Sequence, residues 1–565
     1  MKRPGSISFS VLPVIETTLL VASAIFLILH AFHLSADFPN HSPWMDWAKY
    51  TDEGWYGDGA IRHFQRGHWN VPGDFNPAAA LPVWPLVEAA LFRFTGVNLI
   101  AARSLAVAIF GLILTSSYLL LRRWQTLTAS VRKQPVNTLA PAIAVLLLAV
   151  SPFCYVFTRM AILEPLLILL TLLALLAASF AETVQGSVST ALKTDPATAL
   201  RATARQILPI LALGLLIPLM VLTKTTAVFL LPSIGWILWA RAGYRLRPFL
   251  MVTLPAATLA AVIWIGYYAF IVRPHFLDDY RYLFSANAYT GITPGTALSV
   301  LGDTLADGLW IGNILYPLAL LAIFSAFLLR PRLLRNPLVP ALLLWAAGYA
   351  AFLAYHNNLQ PRYYLVLAVP LTLLIPVVFS ALWTKNNSEP LSPLRRLGTS
   401  SIVAVLAVLT VTDAHQTLHY VRHPDYTFTT AAAEIRQIVS ADPTHNSLIL
   451  SISGSNLSLM TGLPSICDDF GTMDLSVRVQ AYHPGWYVAW NQVDDDKMDA
   501  LSPTYHLQRI AAFPAMDDPE RNLLILYRLD PATSGANPRR HRKPVIPRLL
   551  QTSFGQQPSP AQLQH

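Results

Sequence analysis

Long apolar runs alternate with short polar loops along the chain, and the runs show neither the period-2 alternation of strands nor one-sided helical stripes. A membrane span needs roughly 20 mostly apolar residues, and that rule places about eleven spans. They cover about 11–32, 97–121, 138–157, 160–180, 207–222, 225–240, 249–271, 308–329, 337–355, 364–383 and 399–418. The first run is too long, and too loosely followed by small residues, for a cleaved signal peptide, so it reads as an uncleaved anchor.

Lysine and arginine in the loops set the orientation. One set of loops holds 18 of them, from Lys2 and Arg3 through Arg122, Arg123, Arg241 and Arg245 to Arg395 and Arg396. The other short loops hold only Arg159, Lys224, Arg273, Arg281 and Arg362. The rich side is cytoplasmic, which with an odd number of spans puts the N-terminus inside and everything beyond about residue 420 outside.

Two outer segments are large. The first, 33–96, contains TDEGWYGDGAIRHFQRG and LPVWPLVEAALFRFTG, both patterned as short amphipathic helices lying on the membrane. The second, 421–530, begins with the helical pattern TTAAAEIRQIVS and continues with the strand-like runs NSLILSIS, GWYVAWNQ, YHLQRIAAF and NLLILYRL. These predict a small extracytoplasmic α/β domain. The organisation is thus a transmembrane module over 1–420, the α/β domain over 421–530, and a basic tail over 531–565 whose Pro, Gln and Arg content predicts disorder.

Composition narrows the class further. Of 565 residues only 13% are charged and 54% are hydrophobic, where a soluble protein carries about 25% charge. That leaves too few charges to solvate a soluble surface, and the mean hydropathy of +0.45 agrees. The net charge of +9 sits in the cytoplasmic loops, so it does not describe a nucleic-acid surface. The two cysteines, Cys154 in an apolar run and Cys467 in a polar segment, make no disulfide framework and read as inert thiols.

Charges near membrane depth are costly and default to function, with snorkelling as the alternative. Asp52 and Glu53 begin the first amphipathic helix, where carboxylates also suit the helix dipole. Arg159 and Glu164 flank a turn between two spans, either as an ion pair fixing that hairpin or as site residues. Lys224 and Arg362 sit at later outward hairpins, where a cation can equally be an interfacial anchor. What changes the weighing is that a carboxylate pair and three cations converge on one face.

These residues, in this order, resemble the membrane-embedded glycosyltransferases of GT-C type, in particular the protein O-mannosyltransferase and lipid A aminoarabinose transferase branch of the dolichyl-phosphate-mannose–protein mannosyltransferase superfamily. The resemblance rests on Asp52-Glu53 after the first span, Arg159-Met-Ala-Ile-Leu-Glu164-Pro165, Leu222-Thr223-Lys224 and Pro361-Arg362-Tyr363, and covers about residues 1–385. One departure is GWYGDG after Asp52-Glu53, whose glycines at 54, 57 and 59 are poor helix formers.

The resemblance implies a polytopic α-helical GT-C fold and transfer of a sugar from a polyprenyl-phosphate donor at the periplasmic side of a bacterial inner membrane. The acceptor would be a lipid, a glycan or a protein. It implies Asp52 as the base, with Glu53 as alternative or orienter, and Lys224, Arg362 and Arg159 on the donor phosphate. Glu164 would hold Arg159 or contact the sugar, and His356 and Tyr363 would line the pocket. One base and no second nucleophile imply inversion. The competing expectation is a non-enzymatic transporter or assembly partner for lipid-linked glycans, although such proteins usually show two related halves. No Walker motif, dinucleotide fingerprint or serine elbow is present. A divalent cation is the one cofactor left open: His415, His419 and His423 recur every four residues and could share a helix face, a spacing that suits zinc or a plain interfacial belt.

Overall fold

The computed structural model describes residues 8–38, 46–132, 139–181, 196–286, 293–306, 315–329, 331–356, 360–383, 393–518 and 521–532. The tail beyond residue 532 and the start of the expected 308–329 span lie outside the described residues. The chain is mostly helical, with a small sheet near its C-terminus. Among the described residues five helical stretches are long and apolar enough to cross a membrane: Leu12–His30, Leu99–Leu127, Leu246–His275, Leu338–Tyr355 and Pro361–Ser380. Shorter apolar helices cover Leu139–Val150, Leu163–Ser179, Ile207–Thr223 and Thr225–Arg241.

The run expected as one span over 138–157 is broken. Leu139–Val150 ends, Ser151 adopts extended backbone and caps a new helix, Pro152–Phe157. A proline disfavours helical geometry in the residue before it, so Pro152 places the break. Lys224 is likewise in extended backbone, between the Pro196–Thr223 helix and a 3₁₀ segment, Thr225–Leu230.

The first outer segment follows α1 (Ser8–His30) and forms α2 (Asp52–Arg66) and α3 (Val83–Thr95), on the two stretches read as amphipathic. It leads into α4 (Leu99–Arg132), which packs against the Leu163–Ser179 helix. The glycines of α2 follow from crowding. A Cβ on Gly54 would run into the backbone of Ser455, and one on Gly57 into the carboxylate of Glu88. Glycine costs helix stability but lets neighbours approach this closely.

The C-terminal domain begins with the Thr427–Ala441 helix and is built on a five-stranded sheet in the order β2-β1-β3-β5-β4. Its strands are β1 (Ile449–Leu450), β2 (Ser465–Ile466), β3 (Trp486–Trp490), β4 (Tyr505–Asp518) and β5 (Arg521–Pro531). The first three are mutually parallel and joined through the Gly454–Thr461 and Leu475–Tyr482 helices, and the β3–β5 and β5–β4 pairs are antiparallel. β2 is the one strand the sequence pattern does not show.

This domain is fastened onto the first outer segment. Asp74 accepts Arg62 at 2.5 Å, Arg478 at 2.7 Å and the backbone N–H of Cys467 at 3.2 Å, and the Asp74 backbone bridges Gly471. All three side chains are buried. Buried charges survive only when they are paired this fully, and removal of one member leaves the others uncompensated. Burial pushes the Cys467 thiol up, which disfavours the thiolate.

Candidate active site

Asp52 stands at the first position of α2, and its neighbours fix it from both sides. The hydroxyl of Thr51 donates to its Oδ1 at 2.8 Å. Arg362 Nη2 lies 2.6 Å from its Oδ2. That contact is a charge pairing rather than an aligned hydrogen bond, since Oδ2 has no hydrogen-bond partner among the described residues. Arg362 is in turn held by Asp46, which accepts the Arg362 backbone N–H at 2.9 Å and its guanidinium Nη1. Burial raises the Asp46 carboxyl above the usual range, against the pull of Arg362.

Lys224 pairs with Glu164 from the neighbouring hairpin. Its ammonium sits 4.0 Å from the centre of the Tyr363 ring, and the Arg362 guanidinium 4.7 Å from the same ring. Two cations therefore share one aromatic ring, a favourable contact in a desolvated site. The His356 ring lies 5.8 Å from that of Tyr363. Exposure separates the four carboxylates: the Asp52 side chain is 12% exposed, while those of Asp46, Glu53 and Glu164 are 0% exposed. Of these, Asp52 alone keeps any side-chain exposure, while its Oδ2 is itself buried.

Glu53 points elsewhere. Its oxygens take Arg103 in a fork at 2.8 and 2.5 Å, and Oε1 also accepts the backbone N–H of Ala161 at 3.0 Å. Arg103 donates further to the carbonyls of Leu34 and Ala36. Glu53 thus ties α2 to the exit of α1, to α4 and to the Arg159–Glu164 turn.

Two expectations need correction. Glu164 holds Lys224, not Arg159. Arg159 donates to the carbonyls of Phe32 and His33 at 2.7 Å each and lies 4.4 Å from the Tyr155 ring, so it braces the end of α1 rather than joining the two cations at Tyr363. A cation there suits the carbonyls left free where α1 ends. The His419 and His423 rings lie 4.4 Å apart and tilted, but among the described residues no group of three or more His, Cys, Asp or Glu is placed to hold a metal ion.

Sequence reading missed Asp46 and Arg103. Arg103 did carry a signal: it is a lone cation inside an apolar run, which by the cost of burying charge asks for a partner. Asp46 carried none, because its role depends on a backbone amide far along the chain.

No protein-family model and no curated protein matches the sequence. Solved structures do match in fold. ArnT from Cupriavidus metallidurans in the apo state aligns with a TM-score of 0.52 and 16% identity over 90% of this chain and 98% of that one. The same protein bound to undecaprenyl phosphate aligns with a TM-score of 0.50, also at 16% identity and the same coverage. The fold of the chain is thus similar to that of ArnT. The likeness to ArnT extends over 90% of this chain and nearly the whole of the other.

Proposed function

We propose that the protein transfers a sugar from a polyprenyl-phosphate donor to an acceptor hydroxyl or amine, at the periplasmic face of a bacterial inner membrane through which it passes about eleven times. The observation that carries this is the partly exposed carboxylate of Asp52 set beside two buried cations that flank one aromatic ring. The ArnT fold neighbour, bound to undecaprenyl phosphate, supports the donor class.

In the free protein Arg362 neutralises Asp52. A donor seated with its phosphate toward Lys224 and Arg362 takes over the guanidinium and leaves Asp52 on the far side of the sugar. The acceptor then attacks the anomeric carbon and gives its proton to Asp52, while the bond to the phosphate oxygen breaks and the lipid phosphate gains a negative charge. Lys224 and Arg362 meet that charge in a low-dielectric site, where fixed cations are worth several kcal/mol. A single displacement inverts the anomeric centre. Asp46 and Glu164 hold the two cations in place, and Tyr363 and His356 wall the sugar side.

The test is incubation of the purified protein with labelled polyprenyl-phosphate sugars and a membrane extract. Released lipid phosphate with labelled acceptor supports transfer; label that crosses a vesicle membrane still joined to its lipid would make the protein a transporter instead.

A further inference from the structure

The first turn of a helix leaves its backbone N–H groups without partners, and the residue before the helix ordinarily supplies a side-chain acceptor. Thr51 occupies that position before α2, yet it makes no such cap: its hydroxyl donates to Asp52 instead. The N–H of Gly54 donates to Oδ1 of Asn456, a residue of the C-terminal domain on the Gly454–Thr461 helix.

Three further features show that this contact is built rather than incidental. Asn456 is 1% exposed, and its Nδ2 has no hydrogen-bond partner among the described residues. Burying half an amide unpaired is unfavourable, so the side chain is kept there for its oxygen. Gly54 admits no side chain, because Ser455 occupies the space. One turn further along α2, Ser455 Oγ donates to Asp58 at 2.6 Å, a second point of attachment on the same helix.

The segment just before α2 is gripped in the same way. Tyr50 is buried in the core of the C-terminal domain with Phe428 and Trp490, its ring 5.8 Å from that of Trp490 and 4.5 Å from the Arg521 guanidinium. Asp46 and Arg362 hold the opposite, membrane-facing side of this short stretch. Asp52 lies between the two grips.

We infer that Asn456 is a positioning residue for the transfer: by capping the first turn of α2 from the C-terminal domain, it fixes the backbone from which the Asp52 carboxylate reaches into the site. The inference rests on the reading of Asp52 as base. It makes the C-terminal domain part of the machinery that aligns the reaction. A displacement of about 1 Å between reacting groups can cost about 10²-fold in rate.

The test uses the full chain in detergent and two substitutions. Asn456→Leu removes the acceptor oxygen at similar size, and Asn456→Asp retains it; each is assayed at its own pH optimum. The expected result for Asn456→Leu is a kcat lowered about ten- to hundredfold with donor KM within about threefold, and for Asn456→Asp a kcat within about threefold of wild type. Wild-type kcat in Asn456→Leu overturns the inference, and so does equal loss in both variants, since the oxygen is then not what matters. Should Asn456→Leu fail to fold, Asn456→Ala against Asn456→Asp reads the same split. Asp52→Asn is run in parallel. If it stays active, the base assignment itself falls; if it is dead while Asn456→Leu is active, only the positioning role falls.

Discussion

Arg362 Nη2 and Asp52 Oδ2 lie 2.6 Å apart, so the residue that would take the acceptor's proton is paired, before any substrate arrives, with the residue that would meet the leaving phosphate. Base and leaving-group cation must end on opposite sides of the sugar in an in-line displacement. Donor binding therefore has to part them, and the phosphate is the group with the charge to do so. Asp52→Asn keeps the side-chain shape and removes the proton acceptor. Turnover should fall about 10²- to 10⁴-fold with donor affinity largely retained, read as kcat and as donor titration on the same preparation.

Glu53 should behave differently although it is adjacent. Its carboxylate is buried against Arg103 and the Ala161 amide, so Glu53→Gln leaves a buried guanidinium without its counter-charge. Breaking one side of a buried pair costs about 3–5 kcal/mol. A lowered melting temperature, with residual activity in whatever protein remains folded, is expected. A stable but inactive Glu53→Gln would return Glu53 to the base role.

Lys224→Met should weaken donor binding and also destabilise, because Glu164 is left buried and unpaired. The two effects separate in the double variant Lys224→Met/Glu164→Gln, which removes the orphaned charge. Its melting temperature should recover toward wild type while donor affinity stays low. Recovery of both would make Lys224 a structural anchor. Arg362→Lys should bind the donor better than Arg362→Met but less well than the wild type, since a point charge does not replace a guanidinium fork on phosphate and Asp46.

Three of the four motifs were legible because they lie at turns between apolar runs, where a charge stands out against its surroundings, and Asp52-Glu53 because it opens an amphipathic helix after the first run. Their grouping on one face followed from counting cations in alternating loops. The pairings within the group were not legible. Glu164 is closer in sequence to Arg159 than to Lys224, and local spacing favours the wrong partner; the choice is made by how two hairpins pack. The glycines of α2 looked like a weakness of the helix for the same reason, since Ser455, which makes Gly54 necessary, lies in a different domain. The strands of the C-terminal domain were visible where they run long, as in β4 and β5, whereas β2 has two residues and no pattern to show.

The stability of the folded chain should depend on pH. Burial pushes the Asp468 carboxyl up to about 7, with Asp469 adding to the shift and Lys497, Tyr487 and Arg478 opposing it. In the unfolded chain an aspartate titrates near 4, so between about pH 4 and 7 the folded chain holds the extra proton. Stability is then fully present below that window and falls as pH rises through it, by up to about 4 kcal/mol. Asp58 and Asp279, each raised to about 6 by burial, act in the same direction. Thermal melts from pH 5.5 to 8 should show a falling melting temperature, and Asp468→Asn should flatten the slope and raise the value at pH 8. A wild-type melting temperature that rises over this range would contradict the burial argument.

Topology gives the last test, and the structure ties its parts together. Asp37, at the exit of α1, accepts the N–H of Phe428 and the hydroxyl of Thr427 at 2.9 Å each, so the end of the first span and the start of the C-terminal domain lie on one face. Asp52 and Asn456 are joined to that face through α2. In the proposed orientation, which rests on cation counts of 18 against five, that face is the outer one. A reporter active only in the periplasm should be active when fused after residue 425 and inactive after residue 245. The Asp37 contacts add that a cysteine at position 35 should be labelled by the same impermeant reagent as one at 425, since the two cannot be on opposite sides. A cytoplasmic signal at 425 would carry Asp52 to the cytoplasmic face with it, where a donor presented at the outer leaflet could not reach it.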